Sequence, residues 1–253
     1  MVAGEGLDAL QSSPFVRSSV APLLILSGTG LSYVAGWTIG SRPLVPALNT
    51  LAAFPFLYLA LRQGLVRRAI AFMLVWAAAM AVCATLLSYA APFRAGRLFV
   101  NGAAYRHEMF AWVATGVGAE SSPRLFLPSH AVHAALFTAL SLLSGSLLSM
   151  PMGAILINYM GHFVGALAAQ SAHPVLTGCL AWVPWSVIRI LSYVLLGVVL
   201  AGPVLSRLGR FPFDLGAQAR WLVLAGCGLL ADVGLKAMLA PWWQRILKAV
   251  VGW

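Results

Sequence analysis

The chain has 253 residues, 61% hydrophobic and only 9% charged, with a net charge of +10 and a mean hydropathy of +0.90. About a quarter of a water-soluble domain is Asp, Glu, Lys and Arg, so this composition excludes an ordinary solvated surface and predicts one integral domain folded in a bilayer. The basic excess does not point to nucleic acid: the sixteen basic residues stand singly or in small groups between apolar runs, not along one stripe with aromatics.

In chain order, the N-terminus carries Glu5 and Asp8 where a signal peptide has basic residues. The first apolar run is too long for a cleaved leader, so it reads as a retained span. Runs able to cross a hydrocarbon core of about 30 Å fall near 19–39, 44–62, 69–91, 130–149, 152–170, 177–204 and 219–240. Spans must satisfy every backbone group internally, and the short alternating segments of a β-barrel are absent, so the expected fold is all-α. It is a polytopic bundle of about seven spans with an interfacial amphipathic helix at its C-terminus.

The long loop 92–129 contains "EMFAWVATGVG" (108–118), too short to cross. Met109, Phe110, Trp112 and Val113 suit a helix lying on the membrane, a lid over the bundle mouth, or a partner-binding surface. From His130 to Gln170 no residue carries a formal charge, and the tract is too long for one span. "SMPMG" (149–153) supplies its one turn-like break, because Pro151 cannot continue the backbone ladder. A tight hairpin is expected there; six spans with a re-entrant element is the alternative. Ser141, Gly145 and Ser149, and then Gly161, Gly165 and Ala169, recur every four residues, which predicts that the two helices of this hairpin pack on each other.

In the sixth run, Pro184 predicts a kink near Arg189. Arg189 and, in the seventh run, Asp232 lie well inside apolar segments, where an isolated charge costs at least about 3 kcal/mol. Their similar depth predicts an interhelical pair. Lys236, one turn from Asp232, is the competing partner. The pair reads either as a clamp between helices or as part of a gate or anion site. Cys83, Cys179 and Cys227 are far apart in apolar runs and form no C-x-x-C. The tail 241–253, "PWWQRILKAVVGW", puts Trp243, Ile246, Leu247 and Val250 on one face and Gln244, Arg245 and Lys248 on another, as an interfacial helix would.

Three arginines in 62–68 and three between Arg207 and Arg220 would share one face. The loop 92–129 opposite them holds Arg94, Arg97, Arg106 and Arg124, so by count the faces nearly balance. The expectation leans on the short connections, whose charge by the positive-inside rule puts the N-terminus in the cytoplasm of a cell inner (plasma) membrane. The loop 92–129 would face the other side with His107, Glu108 and Glu120. His130 and His133 open the fourth span at that face, and His173 falls in the turn between the fifth and sixth spans. His162 lies deeper, with Asn158 one turn below it. Imidazole and carboxylate suit a transition metal, which makes His107, Glu108, His130, His133 and His173 a candidate metal set. His130, His133 and His173 are also candidates for proton transfer. Interfacial histidines can equally bond headgroups, water or helix ends.

No nucleotide loop, dinucleotide fingerprint or nucleophile elbow is present, and "RHEMF" has Ala111 where a zinc-protease motif needs its second histidine. "LPSHAVHAAL" followed by "SAHPVLTG" (171–178) resembles the membrane-bound lipid phosphatases of the acid-phosphatase type. The resemblance implies that His130 assists the leaving group and His173 is the phosphoryl nucleophile. The glycine of that family's P-S-G-H is absent, no arginine precedes His173 at the family spacing, and Pro174, not an acid, follows it. With no motif complete, the first expectation is a non-catalytic subunit or accessory factor of a membrane complex, its partners membrane lipids and other membrane-protein subunits. An intramembrane enzyme or metal-binding protein using the histidines stands second. A small-solute transporter, with Arg189, Asp232 and His162 along its route, stands third.

Overall fold

The computed structural model describes residues 20–253, so Glu5 and Asp8 lie outside it. Among the described residues there are ten α-helices and two single 3-10 turns, and no strand. The helices are α1 (Val20–Ile39), α2 (Leu44–Arg62), α3 (Val66–Ala90), α4 (Pro92–Leu98), α5 (Gly102–Thr115), α6 (Pro123–Ser144), α7 (Ser149–Ala168), α8 (Pro174–Ala181), α9 (Pro184–Gly209) and α10 (Ala219–Val251). Seven of them, α1, α2, α3, α6, α7, α9 and α10, are long and apolar enough to cross a membrane. The protein is an all-α polytopic bundle.

Successive spans alternate in direction, so 40–43, 91–122, 169–173 and the C-terminus share one end of the bundle, here called the loop face. The 130–170 tract does fold back on itself, but the turn is at 145–148, not at "SMPMG". Gly145 caps α6 at φ +58 and Ser146 follows at φ +69, a left-handed pair that reverses the chain. Pro151 is the third residue of α7, where a missing N–H costs nothing because the first turn has no intrahelical acceptor for it. The proline therefore marks the start of a helix and not its interruption.

The partner of the α7 small-residue stripe also differs from expectation. Gly161 and Gly165 face α3: a Cβ on Gly165 would run into the Thr85 carbonyl and Ser88, and one on Gly161 would press on Ala84. The α3–α7 contact is the most extensive in the molecule, whereas α6 touches α7 sparingly, with Ser141 Oγ donating to Ser149 Oγ at 2.7 Å beside the turn. Small side chains report close backbone approach without naming the neighbour.

The sixth run is two helices. Val183, extended at ψ 141 before Pro184, separates α8 from α9, as the steric demand of a following proline favours. Pro184 is then the first residue of α9 and makes no kink.

The C-terminal tail is likewise no separate interfacial helix. It continues α10 without a break to Val251, a length of about 50 Å at 1.5 Å per residue. Its inward face, Gln244, Leu247 and Val251, is buried. Gln244 Nε2 donates to the Val113 carbonyl, and Lys248 Nζ to the Ala114 carbonyl at 2.7 Å. A second hydrophobic core forms here from Met109, Trp112, Val113, Phe163, Leu167, Trp185 and Leu247. The apolar side of α5 therefore faces protein and not lipid.

Candidate functional site

α6 begins at Pro123, seven residues before His130, because the first turn accepts a proline and the apolar Leu125–Leu127 extends the helix upstream. His130 therefore lies roughly 10 Å along the helix from its start, within the bundle and not at its lip. There it meets the charges of α9 and α10. Arg189 Nε donates to Asp232 Oδ2 at 2.7 Å and Nη2 to Oδ1 at 2.8 Å, a bidentate fork that fixes both planes. The interhelical pair expected from the sequence is present, with Asp232 1% exposed.

Lys236 does not snorkel. Its Nζ donates to Glu120 Oε1 at 2.7 Å, and it lies 4.5 Å from the Phe126 ring centroid. Glu120 Oε2 also accepts from Trp185 Nε1 at 3.2 Å. A loop carboxylate that the sequence placed near the histidines thus belongs to a second buried pair. The unbroken 33-residue α10 is what carries Lys236, one turn beyond Asp232, to the layer of the loop. Burial and Glu120 push the phenol of neighbouring Tyr105, on α5, well above its usual range, so it stays protonated.

His130 Nε2 stands 3.6 Å from Asp232 Oδ2, and neither of its ring nitrogens makes a hydrogen bond of normal geometry. The Phe126 carbonyl, one turn back, already accepts Ser129 Oγ at 2.9 Å. Nine in ten buried polar groups find a partner, so an imidazole with no hydrogen bond of normal geometry and only the Asp232 carboxylate at ion-pair distance is an exception that calls for a cause. With His133, Arg189, Tyr159 and Tyr193 it lines a cavity of about 60 Å³. At about 10–15 Å³ each, that holds roughly four to six water-sized groups. The cavity continues toward the bundle centre among Leu57, Met73, Trp76 and Met150.

The remaining sequence candidates do not join this site. His107, Glu108 and His173 are exposed, and the His173 backbone N–H donates to Ser171 Oγ at 3.0 Å. Among the described residues no three His, Cys, Asp or Glu side chains come together as a metal would require. The five-residue metal set is therefore not assembled: it spreads over a loop helix, a turn and a half-buried face of α6. No contact joins His130 to His173, as the phosphatase resemblance would need. His162 is fully buried elsewhere, its Nδ1 3.0 Å from Ser88 Oγ and its ring against Gly96 and Gly102. Asn158 bonds the Tyr33 hydroxyl. Neither lines the cavity that Arg189 lines.

Comparison with family models, with curated proteins and with solved structures returned no match. Function has to be argued from the site itself.

Proposed function

We propose that this multi-pass membrane protein binds a small molecule at the loop-face end of its bundle, with His130 as the group that exchanges a hydrogen bond or proton with it. The observation that carries this reading is the His130 imidazole, facing a cavity with both nitrogens buried, neither in a hydrogen bond of normal geometry, and Nε2 left 3.6 Å from Asp232 Oδ2. A histidine kept only for packing would gain by acquiring a partner or by being replaced with an apolar residue, because an unmet buried polar group costs about 1–3 kcal/mol. Retaining it against that cost is what a site for an incoming donor or acceptor requires.

The test is to purify wild type and His130→Leu in mild detergent, extract both, and compare co-purifying small molecules by mass spectrometry. The reading expects a compound depleted in the variant while thermal stability is unchanged or higher. Identical extracts together with a lower melting temperature would show a packing role instead.

A second reading, that of a subunit in a larger complex, is favoured by a different feature. An apolar groove of about 840 Å³ runs between α3, α8 and α9, floored by Ala77, Ala78 and Ala81 and bordered by the exposed Cys179. Its breadth suits a partner's membrane helix. A cross-linker placed on Cys179 should then capture one defined polypeptide in native membranes, and reaction with lipid alone would count against it.

For orientation, we take the arginine groups of 62–68 and 207–220, opposite the loop face, as the cytoplasmic side, against Arg94, Arg97, Arg106 and Arg124 on the loop face; the N-terminus is then cytoplasmic and the site extracytoplasmic. A periplasmically active reporter enzyme fused after Trp253 should be active in that arrangement and silent in the reverse one.

A further inference from the structure

The cavity's charge balance restricts what it can hold. Arg189 offsets Asp232 and Lys236 offsets Glu120, so with unprotonated imidazoles the site is neutral before any ligand arrives. An anionic head would leave an uncompensated buried charge, as would a cationic one. The polar groups still free are of both kinds. Arg189 uses Nε and Nη2 on Asp232, leaving Nη1 as a donor. The Tyr193 hydroxyl makes no hydrogen bond among the described residues, and the His130 nitrogens can accept one. His133 and Tyr159 line it beside them. Ser146 and Ser149 also line it, with their hydroxyls already donating to the Gly197 and Ser146 carbonyls, and the rest is apolar, from Phe137 and Gly153 to Met73 and Trp76.

We propose that the cavity binds a single-chain lipid with an uncharged hydroxyl head, its oxygen accepting from Arg189 Nη1 or Tyr193 and its O–H donating to His130. This rests on the small-molecule reading above and names the ligand class. The cavity takes the head and the first few methylenes. α6, the least buried of the spans that line the cavity, is the wall that yields when the chain arrives from the bilayer. A phosphate monoester fits this balance poorly, which separates the site from the phosphatase resemblance.

The experiment uses the full chain in nanodiscs and three photoreactive probes of equal chain length, each with its diazirine within the first few carbons of the head: a fatty alcohol, the fatty acid at pH 8, and the quaternary ammonium. Cross-linked peptides are mapped by mass spectrometry. The alcohol is expected to label cavity-lining peptides at least ten-fold more than either charged probe. Tyr193→Phe should reduce that labelling about five-fold, and Gly153→Leu, which fills the apolar part, should abolish it. Equal or stronger labelling by the acid would overturn the neutral-head proposal while leaving a small-molecule site standing. Alcohol labelling unchanged in both Tyr193→Phe and Gly153→Leu, or absent from the cavity in wild type, would overturn the assignment of the seat.

Discussion

Asp232 holds a guanidinium with both oxygens inside the bundle, and that makes it the residue whose loss is felt most. Two charges removed from water are tolerated only as a pair, so breaking the pair costs more than deleting it. Asp232→Asn leaves Arg189 uncompensated and is expected to lower stability by about 3–5 kcal/mol, read from unfolding in detergent–bicelle mixtures. The double substitution Arg189→Met with Asp232→Leu should recover most of that loss. If the single variant unfolds like wild type, the pair is not the clamp described here. The Arg189–Asp232 pair was legible because a charge within an apolar run must find its opposite. The partner of Lys236 was not, since nothing local in the sequence reports that Glu120 of the loop lies over α10.

At the scale of elements, glycines separate close contact from open surface. Gly165 lies against the α3 backbone with no room for a methyl group, whereas nothing lies within 4 Å of the Cβ position at Gly178. Gly165→Ala is expected to destabilise by about 1–3 kcal/mol through overpacking. Gly178→Ala in α8 should be neutral or gain up to about 1 kcal/mol from helix propensity. Parallel denaturation curves of the two variants check both, and equal effects would contradict the α3–α7 contact. The two prolines expected to break or bend the chain, Pro151 and Pro184, instead begin helices. Proline excludes the middle of a helix and permits its first turn, and a hydropathy run cannot tell those positions apart.

For the whole molecule, the long α10 ties the loop layer to the bundle. Ending the chain at Ala240 would remove Leu247 and Val251 from the second core and the bonds of Gln244 and Lys248 to α5. Hydrogen exchange across 102–115 should then accelerate while α1 to α3 keep their protection. A tail that merely lay in the interface would leave α5 unchanged. The same layer supplies Glu120 to Lys236, so truncation should also loosen the wall of the candidate site.

Composition and apolar run length were enough to determine the solvent, the helical class and the seven spans, because lipid forbids open backbone and sets a minimum helix length that any reader can count. Which helices touch, where the 130–170 tract turns, whether the tail leaves the bundle and which histidine meets a carboxylate were decided only in three dimensions. Those outcomes depend on side chains distant in sequence competing for the same buried partners, and a linear pattern carries the demand for a partner without its address.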